Sequence, residues 1–299
     1  MRSFSFLINP ISGGGGAPEA VIPVTKLLRE AGAQVEVTYT TGPEGTVDLV
    51  SAAADRGDVV VAVGGDGMVS SIAGEVARHE GVLGLLPAGR GNDFARMLGL
   101  SKDAGEVAAV LLDGEERPVD LIEATLPGLA PQRVAGSVYS GVDSRASEIV
   151  DRVRWMPSKL QYPYASVHAL ATYVPTELTV EVDGVASSYV AATVVVANSG
   201  YYGKGMRIAP NAVVDDGLLD VIVVEAAQRR GMIKAMPKVY DGSHVELDQV
   251  TELRGKAVRL SGTPSLPMGG DGEPLGMLPT SADDPAVVSV LPGALNVLF

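Results

Sequence analysis

The chain has 299 residues and a formal net charge of −13, which excludes a nucleic-acid backbone as partner and attachment to an anionic bilayer by charge alone. It has no cysteine and only His79, His168 and His244, which removes disulfides and thiolate chemistry, makes a zinc site improbable and leaves a hard cation on oxygen ligands as the metal to consider. No run of eighteen apolar residues is present to span a bilayer, and Met1–Pro10 reads as a first strand rather than a leader, so a cytosolic protein is expected.

Ser3–Ile8 reads as a strand, Glu19–Ala31 as a helix stopped by Gly32, Gln34–Tyr39 as a strand and Val47–Ala54 as a helix. Strand Val59–Val63, helix Val69–Ala77, strand Leu83–Leu86, helix Gly105–Leu112 and a strand near Pro118–Ala124 follow. This βαβ repetition predicts a parallel sheet with helices on both faces. After about residue 125 the texture changes. Leu126–Gln132 is a turn cluster, and strand-like runs then dominate: Glu177–Val182, Tyr189–Ala197, Leu219–Val224 and Ala257–Ser261. Helical patterns cover Ser144–Arg154, Leu160–Tyr173 and Arg229–Val239. The expected organisation is an α/β domain over 1–125, a mostly antiparallel β-rich domain over 126–285, and an apolar end, 286–299, that returns to the first domain.

The most informative stretch is residues 59–68, a valine-rich run that ends in Gly64-Gly-Asp-Gly67 and opens directly into a helix. Glycine amides can approach a ligand closely, and the helix directs its partly positive end at the same place. This is the pattern of a phosphate cradle, and its carboxylate, Asp66, calls for a cation between it and the phosphates. A ligand-free strand–glycine–helix turn has the same letters. A second loop, Pro87-Ala-Gly-Arg-Gly-Asn-Asp-Phe94, follows the next strand and is expected to open on the same sheet edge. It supplies Arg90, Asn92 and Asp93, although Asn92-Asp93 also reads as the cap of the helix begun by Phe94. The Gly-rich stretch 198–210 runs into the acidic turn Asp215-Asp-Gly217, which also reads as a plain hairpin turn. In Gly269-Gly-Asp-Gly-Glu273 the glutamate is placed as a general base, though surface turns look the same. Motifs for P-loop NTPases, zinc proteases and serine hydrolases are lacking, and Asn9–Gly16 lacks the dinucleotide spacing.

In this order, Asn9-Pro10 with Ser12-Gly13, the Gly64–Gly67 loop, the 87–96 loop, Asp215–Asp220 and Asp271-Gly-Glu273 resemble the diacylglycerol kinase and sphingosine kinase family in its bacterial lipid-kinase branch. The resemblance covers almost the whole chain. It implies a nucleotide-binding α/β domain, a β-sandwich-like second domain and an active site in the cleft between them. It implies ATP and Mg2+ as cofactors and transfer of the γ-phosphoryl group to a lipid hydroxyl, diacylglycerol first. By resemblance Gly64, Gly65, Gly67 and the neighbours through Ser70 cradle the phosphates, with Asn9 in the first loop and Thr41 as a nucleotide contact. Asp66, Asp93 and Asp120 organise magnesium and water, and Glu273 is the general base. A structural Mg2+ in the second domain is implied on the Asp216 carboxylate and the carbonyls of Val213 and Leu218.

The chain departs from the family pattern at Met68 and Arg90, where threonine is usual, and at Gly14, where a cation is common. A small-molecule kinase of the NAD kinase type and a decayed lipid-binding regulator are the alternatives. The partner expected is a neutral membrane lipid, reached by transient peripheral contact at the inner membrane face, with a homodimer an allowed assembly. The stretch Arg152–Tyr164, which holds Trp155, is the expected contact, although Trp155, Met156 and Leu160 also read as core residues.

Overall fold

The computed structural model describes residues 2–10, 12–40, 42–153 and 155–299, so Thr41 and Arg154 lie outside the described residues. Its first half runs β1 (Ser3–Ile8), α1 (Ala17–Glu30), β2 (Gln34–Tyr39), α2 (Pro43–Asp55), β3 (Val59–Gly64), α3 (Asp66–Arg78), β4 (Val82–Pro87), α4 (Asp93–Met97), α5 (Ala104–Asp113) and β5 (Glu116–Thr125). Strands β2, β1, β3 and β4 pair in that order, all parallel. The alternation of side chains along β3 divides the core. Val59, Val61 and Val63 pack with Val21, Val24 and Leu28 of α1 and Leu111 of α5. Val60 and Ala62 pack with Val50 of α2 and Ile72 of α3. A strand buried on both faces needs an unbroken apolar run, and β3 has one.

The second half runs β6 (Gln132–Val134), β7 (Ser137–Gly141), α6 (Val142–Arg152), α7 (Ser158–Thr172), β8 (Thr176–Val182), β9 (Val185–Ala197), β10 (Leu219–Glu225), α8 (Arg229–Ala235), α9 (Lys238–Asp241), β11 (Val250–Gly255), β12 (Ala257–Thr263), β13 (Pro267–Gly270), β14 (Glu273–Met277) and β15 (Ala286–Leu298). Pairing here is antiparallel in the order β14, β13, β7, β9, β8, β12, β15, and β10 joins β9 to β11. The helix expected over Arg229–Val239 is two short helices. Pro237 divides them, since it has no amide to continue the ladder and restricts the residue before it.

Strand β15 links the halves. Its start pairs antiparallel with β12, and Asn296 and Val297 pair in parallel with Val82 and Leu83 of β4. Strand β5 follows it antiparallel along nearly its whole length, with a register shift between Leu291 and Leu295. The two apolar runs at the chain's end are therefore one continuous strand with an irregularity in the middle.

Candidate active site

The glycine loop sits where β3 gives way to α3. Gly65 precedes the helix in an extended conformation, and among the described residues no side chain caps the first turn of α3, which leaves the positive end of a thirteen-residue helix facing the cleft. The glycines are required by close approach. A methyl group on Gly89 would fall 2.3 Å from the Gly65 Cα, so the two loops touch backbone to backbone. Met68 turns back onto Gly64 and packs with the apolar layer under α3, as a thioether can and a hydroxyl cannot.

Asp66 joins the two loops. Its Oδ1 accepts from the Asp93 amide at 2.6 Å and from the Phe94 amide at 3.4 Å, and its Oδ2 accepts from the Asn92 amide at 2.9 Å. The cap of α4 is therefore supplied by Asp66 from another segment. Asn92 instead holds its own loop, with its side chain accepting from the Gly89 amide at 2.7 Å and donating to the Gly89 carbonyl at 2.9 Å. Asp93 reaches across to the second half, accepting from the amides of Lys204 and Gly205 at 2.8 and 2.7 Å. Burial, and then the charge of Asp66, push the Asp93 carboxyl above the usual range against those hydrogen bonds.

The hairpin of β13 and β14 brings the opposite wall. Glu273 lies over Gly67, where a methyl group on that glycine would come within 2.6 Å of Glu273 Oε1. Beside it, Asp271 accepts from the amides of Ala135, Gly136 and Ser137 at 3.1, 2.8 and 2.9 Å. Ser70, on α3, accepts from the Ala135 amide at 3.0 Å and also hydrogen-bonds Asp271, so it works as a tie between the halves. Burial pushes the Asp271 carboxyl up to about 6 in spite of these bonds. The second Gly-Gly-Asp-Gly thus enters the same cleft as the first.

The cleft encloses about 820 Å³. Gly65, Asp66, Gly67, Arg90, Asp93 and Glu273 line it, as do apolar side chains such as Val142, Leu170, Val224, Met232 and Val239. A polar chain borders the apolar part: Tyr139 accepts from the Gly272 amide at 3.1 Å, packs edge-on to Tyr202, and Tyr202 and Thr193 each donate to Asp143 at 2.6 Å. Asp271 belongs to a motif that carries the resemblance but had no role of its own there, and Tyr139, Asp143 and Tyr202 were not singled out from the sequence, because each has a signature shared with ordinary core or turn residues.

Two sets of assigned residues are not brought to the cleft. Asp120, on β5, is buried; its carboxylate accepts from the amides of Gly217 and Gly293, both at 2.7 Å, and so braces the acidic turn against the bend in β15. The set Val213, Asp216 and Leu218 lies in the acidic turn, where Asp216 is already engaged. Arg254 of β11 places its guanidinium on Asp216 and lies 3.5 Å from Asp220, while the other Asp216 oxygen accepts from the Leu218 amide at 3.0 Å. A cation is already there, carried by the chain itself. Asn9 closes β1 with a backbone turn, its carbonyl accepting from Ser12, and Ser12 and Gly14 reach the cleft beyond it.

Residues 3–124 match the family model described as the diacylglycerol kinase catalytic domain, and residues 136–299 match the YegS C-terminal NAD kinase beta sandwich-like domain. A diacylglycerol kinase of Mycobacterium tuberculosis (strain ATCC 25618 / H37Rv) is 31% identical over 297 residues, which is 98% of this chain and 93% of that protein. A probable lipid kinase YegS-like of Stenotrophomonas maltophilia (strain K279a) is 27% identical over 83% of this chain and 82% of its own length. A crystal structure of a diacylglycerol kinase from Bacillus anthracis str. Sterne superposes with a TM-score of 0.75 at 20% identity, covering 100% of this chain and 97% of that one, and so shares the fold. With both halves matched and a relative of this identity along nearly its full length, the chain belongs to the diacylglycerol kinase family, in its bacterial lipid-kinase branch, and is an ATP-dependent kinase.

Proposed function

We propose that this lipid kinase phosphorylates the primary hydroxyl of a neutral glycerolipid, diacylglycerol, giving phosphatidic acid. The observation that carries the reading is one continuous cleft with uncapped helix amides, Arg90 and Glu273 in one region and aliphatic walls in another. The amides of Gly65–Gly67 and the end of α3 hold the triphosphate. Glu273 takes the proton as the lipid oxygen bonds to the γ-phosphorus and the bond from that phosphorus to ADP breaks. The aliphatic part of the cleft receives the acyl chains. Asn9, Gly64, Met68, Ser70 and Asn92 act behind this surface by setting the two loops.

No group of three or more metal-binding side chains is assembled among the described residues. Magnesium fits as a companion of ATP, because it is commonly held by one or two carboxylates together with phosphates and water. Asp66 and Asp93 are the carboxylates placed for it, and it would neutralise phosphate charge there. The working division is 1–125 with 286–299 returning, against 126–285, with the cleft between. Among the described residues no helix is long and apolar enough to cross a membrane, and a peripheral encounter with the inner face is the proposed route to the substrate. Radiolabelled ATP offered with vesicles of diacylglycerol, other neutral lipids and, separately, NAD tests the reading: label should enter phosphatidic acid. Label in NADP, or in no acceptor, overturns it.

A further inference from the structure

The second Gly-Gly-Asp-Gly, residues 269–272, leads into a hairpin turn, where the first leads into a helix. Asp271 and Gly272 lie between the paired residues Gly270 and Glu273, and both have a positive φ, +47° and +94°, as a two-residue turn between twisted strands requires. Strand β13 also pairs with β7, where Gly270 stands opposite Val138 and Gly269 opposite Tyr139. Residues directly opposite in an antiparallel pair share one face of the sheet. Gly269 presents no side chain on that face, so the Tyr139 ring lies over it: a methyl group at 269 would come within 2.8 Å of the ring. From this position the Tyr139 hydroxyl reaches past the end of the strand and accepts from the Gly272 amide at 3.1 Å.

Both central residues of the turn are therefore tethered to β7 and the segment before it. Asp271 is held by its amide, which donates to the Ser137 carbonyl at 3.2 Å, and by its carboxylate on the amides of residues 135–137. Gly272 is held by Tyr139. The next residue is Glu273, which lies against Gly67. The Tyr139 side chain also lines the cleft and meets Tyr202 edge-on, with ring centroids 6.1 Å apart. We infer that Tyr139 is a positioning residue for Glu273: its hydroxyl fixes the turn that presents the carboxylate, and its ring forms the adjoining wall of the lipid cavity, so that base and lipid are placed by one side chain. The inference rests on the kinase reading above, with Glu273 as its base. Phenylalanine would supply the wall without the hydrogen bond, and a small hydroxyl residue would supply neither the wall nor the reach.

The test compares the intact wild type with Tyr139→Phe and Tyr139→Leu by melting temperature, ATP affinity, and kcat and KM on diacylglycerol vesicles. Tyr139→Phe keeps the ring and loses only the hydroxyl, so it should melt within a few degrees of the wild type. Its kcat should fall about 10- to 100-fold, the loss expected when a reacting group is held about 1 Å out of place, with ATP affinity and lipid KM within about twofold. Tyr139→Leu removes the wall as well, and should add a several-fold rise in lipid KM to the same fall in kcat. Adding Tyr139→Phe to Glu273→Gln, whose residual transfer radiolabelled ATP follows, should cost no more than about twofold, because a residue that acts through Glu273 then has no base to position. A full further loss in that background, an unchanged kcat in Tyr139→Phe, or a loss confined to lipid KM overturns the assignment. A wild type that labels no lipid, or a Glu273→Gln protein with the wild-type rate, would instead overturn the reading on which the inference rests.

Discussion

Glu273 Oε1 lies so close to Gly67 that the glycine hydrogen fills the only space between them; a methyl group there would come within 2.6 Å. The phosphate loop of one domain and the carboxylate of the other are thus in van der Waals contact, and neither a larger residue at 67 nor a shorter acid at 273 preserves the arrangement. Glu273→Gln keeps the shape and removes the proton acceptor. Lipid phosphorylation should fall on the order of 10²- to 10⁴-fold with ATP affinity within a few-fold of the wild type. Equal losses of both would make Glu273 structural. Gly67→Ala should instead weaken ATP binding, because the carboxylate has to swing away from the loop.

Asp271 gives the site a pH dependence of unusual sign. Its folded carboxyl titrates at about 6, above the ordinary value of 3.8, with burial as the main cause. A group whose pKa is raised by folding stabilises the fold fully below the unfolded value, and that contribution is lost as pH rises through the folded one. From about pH 4 to pH 7 the wild type should therefore lose stability relative to Asp271→Asn. Melting temperatures of the two proteins across that window check this; a constant difference between them would count against it. Activity should run the opposite way, since ionised Asp271 is the better acceptor for the three amides at 135–137 that hold the Glu273 hairpin.

The second-domain turn should need no magnesium. Arg254 supplies its positive charge, bound to Asp216 and near Asp220, and Asp120 holds the Gly217 amide from below. Chelation with EDTA should leave the wild-type melting temperature unchanged, whereas Arg254→Gln should lower it by a few degrees, in keeping with about 1 kcal/mol for a partly exposed ion pair. A clear fall of the wild-type value on chelation would show that a metal holds the turn after all.

The loops bearing Asp66 and Asp93 were legible because glycine-bounded acids after apolar strands keep their meaning in one dimension, whereas Glu273 stood on the resemblance, since the second Gly-Gly-Asp-Gly sits among strand and turn residues and reads as a coincidence of pattern. The partners of Asp66 and Asp93 were less legible. That Asp66 caps α4 and that Asp93 binds the 203–205 loop depend on spacings of 26 to 28 and 111 to 112 residues, which no local pattern encodes. Strand β7 escaped notice because Ser-Val-Tyr-Ser-Gly is short and half polar, and β11 because Val-Thr-Glu-Leu-Arg-Gly alternates charges as an exposed segment does. Without β11, the contact of Arg254 with Asp216 has no local signature. At Pro237 the helical periodicity runs on through a residue that cannot extend the ladder, so the pattern masks the break.

Arg90 stands where the family has threonine, and restoring threonine should do harm. Arg90 lines the cleft beside the phosphate loop, and its guanidinium can fork onto phosphate oxygens. Arg90→Thr should weaken ATP binding about tenfold or more, with a larger effect at low salt. An affinity that improves or stays level would place the guanidinium toward solvent.

The membrane encounter should run through the helices that wall the apolar part of the cleft. Ala146 of α6 and Leu170 of α7 face that cavity, while Trp155, between the two helices, is 81% exposed, and Leu160 and Tyr164 in α7 are also exposed. The core packing that the sequence allowed for Trp155 and Leu160 is thus not what the fold does with them. An exposed tryptophan beside tyrosine and leucine suits the interface of a bilayer, where an amphipathic ring sits at headgroup depth. With a net charge of −13 the contact must draw on apolar burial more than on attraction to anionic lipid. Vesicles containing diacylglycerol should shift the emission of this single tryptophan to the blue, and the shift should survive raised salt. Trp155→Ala should raise the apparent KM for vesicle substrate several-fold while leaving turnover of a short-chain soluble diacylglycerol unchanged. Unshifted emission during continuing phosphorylation of the same vesicles would move the docking surface to another face of the molecule.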